Sequence, residues 1–414
     1  MALEFTLTKK QQFLRESIQS LAKHVIRPQS LAWDKAHGIP EEILRNLATL
    51  NSSMTASVKK DASAGPGERG GGEREGGEPT GNFGMKNLDT LLVTEDLAWG
   101  DAALPLCMPG PGLGGPPVRS TGTAEQKKRY LGVFSDMSEK LKWGAYALTE
   151  PGAGSDVAGI RTSCRKDGNE WVLNGRKCYI TNGARASWNV VFATIDPSLG
   201  RAGHRAFVIE KGTKGFSVGR IEEKMGLRAS ETAELVLEDC RVPDECLLGG
   251  DDSYRSKEGF MTAMKTFDNT RPIVAAMAIG IGRAAYEVAR DFVKENYALA
   301  RHVPRYAAIA ERLARVGRNL DAARLVTWRA GWMADQGIAN AKEASMAKAL
   351  GGQAAIAACI EAIEICGVEG TLQKDHQLLE KWFRDIKVYD IFEGTGAIQR
   401  IVISKRLISN LKSF

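Results

Sequence analysis

With 414 residues, 43% hydrophobic and 26% charged, the chain exceeds what one compact core needs and suits two or three globular domains. A net charge of +6 and a pI of about 8.8 come from acids and bases spread along the chain, without a basic run interleaved with aromatics; this argues against a nucleic-acid partner and leaves room for a phosphate-bearing ligand. Seven cysteines, with no CxxC pair and no histidines at ligand spacing, argue against a disulfide framework and a zinc site.

The opening MALEFTLTKKQQFLRES lacks the apolar core of a secretory signal, and no run approaches the roughly 18 apolar residues that cross a bilayer, so a cytoplasmic protein away from membranes is expected. Thr8 can cap a helix with Phe13, Leu14, Ile18 and Leu21 on one face, and Pro40 can start a second carrying Ile43, Leu44 and Leu47. DASAGPGERGGGEREGGEPTGNFG, 61–84, has almost nothing to bury and reads as the main part of a flexible loop over 52–84. Helical signal returns in LDTLLVTEDLAW and stops at CMPGPGLGGPP, 107–117, because Pro and Gly cannot continue a helix interior.

From residue 144 the pattern turns to alternation. EWVLNGRKCYITNG sets Asn174 and Gly175 between two strand-like runs, a strong hairpin signal, and WNVVFATID, RAFVIEKG and ETAELVLEDCRVP continue in the same style. After Phe260 the period lengthens: Val274, Met277, Ile281, Val288 and Phe292 share a helical face, with Pro272 in the first turn. Four or five helices follow, the last carrying Ile398, Ile401, Val402, Ile408 and Leu411. The expected fold is α+β: an N-terminal helical domain (1–143), a middle antiparallel β-barrel domain (144–245) and a C-terminal four-helix-type bundle (246–414).

Two stretches carry chemistry. YALTEPGAGSDVAG, 146–159, places Gly152 and Gly154 around Ala153 and follows them with Ser155 and Asp156; small residues with exposed amides and a hydroxyl let a flavin edge or a phosphate-bearing tail approach the backbone. DIFEGTGAIQR, 390–400, sets Glu393 between Phe392 and Gly394 in an otherwise apolar stretch, where it is either a surface acid or a buried functional one.

These stretches, with NGRKCYITNG, KMGLRASETAELVLEDCRVP and FDNTRPIVAA in the same order and spacing, resemble the acyl-CoA dehydrogenase family over most of residues 85–414. The resemblance implies an FAD enzyme that desaturates an acyl-CoA at its α and β carbons and hands electrons to an electron-transfer flavoprotein. Glu393 matches the base that removes the α-proton while hydride leaves the β-carbon for flavin N5. The family carries this base in one of two places, and the other is held here by Thr270, which cannot do the job. Tyr146, Leu148, Thr149, Gly154, Ser155, Tyr179, Thr181 and Thr395 match cofactor contacts. Ser155, Asp268 and Arg271 match substrate contacts, and Gly394 leaves room for the thioester carbonyl. Asp268 and Arg271, three apart at a helix start, are also placed for a simple ion pair.

The chain departs from the family in three places. Asn296 and Leu299 in ENYALARH, and Glu364 and Val368 in IEICGVEG, stand where relatives grip the cofactor across a subunit interface, so a dimer, a tetramer or an assembly with a related subunit is expected. Arg301 and Arg305 are candidate substitutes. The loop at 52–84 and the small residues of CMPGPGLGGPP are the other two, and the latter widen the pocket toward a bulky acyl group. The alternatives are a CoA-ester-binding partner subunit with weak flavin binding, or an acyl-CoA oxidase on the same fold.

Overall fold

The computed structural model describes residues 6–49, 86–137, 139–251, 254, 267–296, 304–373 and 377–408. The glycine-rich loop expected at 52–84, and Leu299, Arg301 and Leu411, lie outside them, as does the side chain of Arg305.

Thr8 caps the first helix, Lys9–Leu21, in a capping box with Gln11. Leu14 and Ile18 are buried as the period requires, but Phe13 is 71% exposed and does not join their face. The helix does not stop at Leu21. Pro28 has no N–H to donate one turn back, so the chain passes through a wide turn, Ala22–Ile26, and a tight one, Arg27–Gln29, into a further helix, Ser30–Ala36. A second predicted helix follows at 41–49, with Leu44 and Leu47 buried.

The helix Asn87–Gly100 is buried on nearly every side, including Glu95 and Asp96. Glu95 accepts from Arg283 at 2.9 Å and from Arg324 at 3.0 Å, and Asp96 accepts from Arg283 at 2.5 Å and Arg15 at 3.2 Å. Burial alone would push Glu95 up, yet the charges of Arg324 and Arg283 outweigh it and hold the carboxyl below its ordinary range. Gly280 lets the helix Phe267–Asn296 touch this backbone, since a Cβ there would run into the Glu95 carbonyl.

Seven strands form one sheet: β1 (Gly144–Ala147), β2 (Ser163–Asp167), β3 (Glu170–Thr181), β4 (Trp188–Thr194), β5 (His204–Glu210), β6 (Phe216–Ile221) and β7 (Thr232–Pro243). They run in the order β1-β4-β2-β3-β7-β6, with β5 also on β4. The sheet is mixed, where an antiparallel barrel was expected. β4 runs parallel to β1 along Gly144–Ala147 and meets β2 in parallel at Ser163–Thr194. The β2–β3 hairpin between β1 and β4 supplies the long crossover that a parallel pair needs. β4 is buried throughout: Trp188, Val190 and Phe192 enter one core, Val191 and Ala193 the other.

Asn174–Gly175 is not a hairpin turn. The turn lies at Gly168 and Asn169, with Asp167 paired to Glu170 and Gly168 at φ 66°. β3 runs on through Asn174–Gly175 as a bulge, because Gly175, at φ 152°, packs where a Cβ would meet Thr162 at 2.5 Å.

Five helices fill the C-terminal part among the described residues: Phe267–Asn296, Pro304–Asp335, Ala341–Cys366, Gln377–Ile386 and Gly396–Ile408. Val274, Met277, Ile281 and Phe292 are buried as predicted. Pro272 sits inside the first helix rather than in its opening turn, which releases the Asp268 carbonyl from its helical donor, and Asn340 Nδ2 reaches it at 3.4 Å. In the last helix Ile401 and Ile408 are 50% and 58% exposed, so its apolar face is not covered by the described residues. Asp268–Asn296 and Ala341–Thr371 are in fact long and apolar enough to cross a membrane, contrary to the reading of the sequence. Their most apolar windows are 72% and 56% buried, which makes them core helices of this fold.

Candidate active site

Between the tight turn Lys387–Asp390 and the helix Gly396–Ile408, the chain makes a narrow turn. Thr395 caps the helix: its Oγ1 accepts from the Ile398 N–H at 3.3 Å and its carbonyl from Gln399 N–H at 2.9 Å. Just before it, Glu393 and Gly394 both adopt left-handed backbone, with φ 54° and 95°. A glutamate there costs roughly 1 to 2 kcal/mol. Fully buried Gln399 holds the turn by donating from Nε2 to the carbonyls of Glu393 at 3.2 Å and Gly394 at 3.1 Å. Gly394 is therefore demanded by its own φ and by Gln399, whose Nε2 would lie 2.5 Å from any Cβ at that position. Gly394→Ala is expected to lower stability by about 1 to 3 kcal/mol. An unchanged melting temperature would mean that the turn relaxes without cost.

This turn aims Glu393 at a cavity of about 90 Å³ that opens to solvent. Every part of the fold contributes to its wall: Thr94 and the 105–113 segment from the first part, Gly144, Thr181 and Asn182 from the sheet, and Thr270, Ile273, Val274 and Met277 from the first C-terminal helix. Thr94 gives its hydroxyl to the Thr90 carbonyl at 2.7 Å. Asn182 ties the sheet to the 105–113 segment by donating from Nδ2 to the Leu106 carbonyl at 3.0 Å.

Glu393 is half-buried, but its Oε2 is fully buried and has no hydrogen-bond partner among the described residues. Burial pushes its pKa up, against the Thr270 hydroxyl and the charges of Arg271 and Lys348. Thr270 and Glu393, 123 positions apart, thus converge on one cavity. Arg271 is ion-paired to Asp268 at 3.0 Å, so the simple ion pair is real, while Arg271 also feels the Glu393 charge.

Of the residues singled out from the sequence, Thr181 and Glu393 line the cavity. Tyr146 is close enough for the Glu393 charge to add to burial in raising its phenol. Leu148 is buried and Thr149 half-buried, whereas Gly154 and Ser155 are exposed, on a loop anchored by Glu150. Glu150 accepts from Lys177 Nζ at 2.6 Å and from the Arg161 and Thr162 amides at 2.6 and 3.0 Å. Tyr179, with φ 58°, is 65% exposed and is not among the residues that line the cavity. Asn296 Nδ2 donates to its own helix at Phe292 O, Glu364 pairs with Arg312, and Val368 is 74% exposed.

Sequence reasoning missed Gln399 and Lys348, and read Met277 as a core residue only, where it also lines the cavity. Lys348 is completely buried, its Nζ has no hydrogen-bond partner among the described residues, and burial pushes its ammonium down to about 8 against the opposing charges of Asp390 and Glu393. Gln399 stood inside a quoted motif, but nothing in a sequence says which carbonyls a glutamine holds.

Three family models match: acyl-CoA dehydrogenase, N-terminal domain at 66–137, middle domain at 145–240 and C-terminal domain at 257–408. The rat short-chain specific acyl-CoA dehydrogenase, mitochondrial, is 34% identical over 408 residues, covering 98% of this chain and 92% of the relative. A probable medium-chain specific acyl-CoA dehydrogenase 2, mitochondrial, of Caenorhabditis briggsae is 33% identical over 413 residues, covering 99% and 93%. Among solved structures, butyryl-CoA dehydrogenase from Megasphaera elsdenii superposes with a TM-score of 0.82 at 31% identity, covering 98% of this chain and 100% of that one. A chain from a structure titled for the electron transferring flavoprotein of Acidaminococcus fermentans gives a TM-score of 0.81 at 31% identity, with the same coverage. With all three domains matched and relatives a third identical over nearly its whole length, the chain belongs to the acyl-CoA dehydrogenase family, whose members are FAD-dependent oxidoreductases of acyl-CoA metabolism.

Proposed function

We propose that the protein catalyses FAD-dependent α,β-dehydrogenation of an acyl-CoA thioester, with Glu393 as the base and an electron-transfer flavoprotein as the acceptor. The observation that carries this reading is one buried carboxylate, raised in pKa and with a free oxygen, on the wall of a largely apolar cavity. The relatives named short-chain and medium-chain acyl-CoA dehydrogenases support the substrate class. The structure titled for an electron transferring flavoprotein supports the acceptor.

The residues present fit a flavin and a CoA arm. Thr181 stands on the cavity wall, Thr149 is half-buried in the glycine-rich segment, and Gly154, Ser155 and Tyr179 are exposed. In this reading Tyr146, Leu148, Thr149, Tyr179, Thr181 and Thr395 hold the cofactor, and Ser155, Asp268 and Arg271 the CoA arm. FAD supplies, when bound, the acceptor for the hydride that leaves the β-carbon. Glu393 takes the α-proton on Oε2, and desolvation makes the carboxylate a stronger base toward a weakly acidic C–H. The Glu393 amide N–H, which has no acceptor among the described residues, is available to the thioester oxygen as charge builds there.

The test is a spectrum and a substrate panel. The purified protein is expected to be yellow, and anaerobic butyryl-, isovaleryl-, octanoyl- or glutaryl-CoA to bleach its flavin. A colourless protein inert to all four would point instead to a CoA-ester-binding subunit, and rapid peroxide release to an oxidase. Because the carboxyl is raised and must be ionised to act, kcat/KM is expected to fall on the acid side with a limb above the ordinary glutamate value of about 4.3. A limb at that ordinary value would remove desolvation as the source of the base strength.

A further inference from the structure

Lys348 has no part in the reading above. It lies on the helix Ala341–Cys366 and is wholly buried, with Nζ making no hydrogen bond among the described residues. An isolated buried ammonium is costly, and such groups are nearly always paired. One turn on, Gly352 marks which segment this face of the helix meets: a Cβ there would stand 3.4 Å from both the Tyr389 carbonyl and Asp390 Oδ1. Asp390 Oδ1 is buried without a partner among the described residues, as is Glu393 Oε2 three residues later. The charged groups facing Lys348 are therefore Asp390 and Glu393 from the segment before the last helix, and Arg271 from the helix Phe267–Asn296.

A cation and two carboxylates share this dry region, yet Lys348 touches neither acid. A direct hydrogen bond from Lys348 would occupy the oxygen that Glu393 needs for a proton. Held off contact, the ammonium still favours the carboxylate through space while leaving Oε2 open.

We propose that Lys348 is a positioning residue for the base: its buried ammonium, offset by Asp390, keeps the Glu393 carboxylate charged between turnovers without bonding to it. This rests on Glu393 acting as the base. Lys348→Met keeps length and apolar bulk but removes the charge. In the holoenzyme, with the fastest acyl-CoA of the panel and an artificial acceptor, it is expected to move the acid limb of kcat/KM up by about one pH unit. Activity below the limb then falls about tenfold, with little change above it. Lys348→Arg should return the limb toward its original place, because it restores the cation. If Lys348→Met does not fold, Lys348→Gln carries the same expectation, since it removes the charge and keeps a donor.

A purely structural lysine would lower kcat/KM by one factor at every pH and leave the limb where it was; that result overturns the proposal. The parent reading fails separately, through a Glu393→Gln variant that still turns over. An unmoved limb beside an inactive Glu393→Gln sinks only the role of Lys348.

Discussion

Glu393→Gln is expected to lower turnover by at least about 10²-fold and up to about 10⁴-fold, the range for a positioned general base. The amide is nearly isosteric, so the left-handed turn and the Gln399 clamp on its carbonyls should survive, and flavin and acyl-CoA binding with them. It cannot accept the α-proton. The same variant should be more stable near neutral pH. The Glu393 pKa is raised, so the folded state binds this proton more tightly than the unfolded chain does. The destabilisation is thus absent below the ordinary carboxyl pKa, grows as pH rises toward the folded value, and is complete above it. Melting temperatures of wild type and Gln variant should coincide in acid and separate toward neutrality, with the variant higher. Flavin bleaching at near the original rate would show that another group is the base.

Lys381→Met is expected to be the most destabilising single change, by about 3 to 5 kcal/mol, the cost of leaving buried charges uncompensated. Lys381 Nζ donates to Asp101 Oδ2 at 3.1 Å and Asp385 Oδ2 at 2.6 Å, and all three side chains are at most 1% exposed. Burial would lower the lysine pKa, but the two carboxylates outweigh it and the ammonium stays charged. Asp101 also accepts from Ser30 Oγ at 2.5 Å and from the Ala103 and Leu104 amides at 2.9 Å, while Asp385 Oδ1 accepts the Leu227 amide at 2.6 Å. Segments before the sheet, within it and after it are joined here, so the loss should be cooperative across the chain. Adding Asp101→Asn and Asp385→Asn to Lys381→Met should recover part of it, because neutral amides keep the backbone contacts and drop the stranded charge. Chemical denaturation measures both. A single-variant loss below about 1 kcal/mol would be typical of an exposed pair and would show that water reaches this network.

Local chemistry was readable from the residues alone. Thr8 three places before Gln11 caps a helix anywhere, and the apolar period of Val274, Met277 and Ile281 selects a buried face wherever the helix lies. The ordered motifs around YITNG and EGT reached as far as the family, since a family's signature is carried by residue type and spacing. Asn174–Gly175 was misread because a turn signal and a bulge signal share the same two residues. Only the close approach of Thr162 decides that the strand runs on. The parallel pairing of β1 with β4 escaped for a similar reason: alternation reports which face is buried, not which strand lies alongside. Phe13 and Ile401 fit their helical periods and are exposed, since burial needs a neighbour to supply the other surface. The burial of Lys348 and the Asp101–Lys381–Asp385 network were settled by tertiary structure alone. Desolvation and charge pairing act over a few ångströms of space, and groups more than a hundred positions apart in the chain become neighbours only once it is folded.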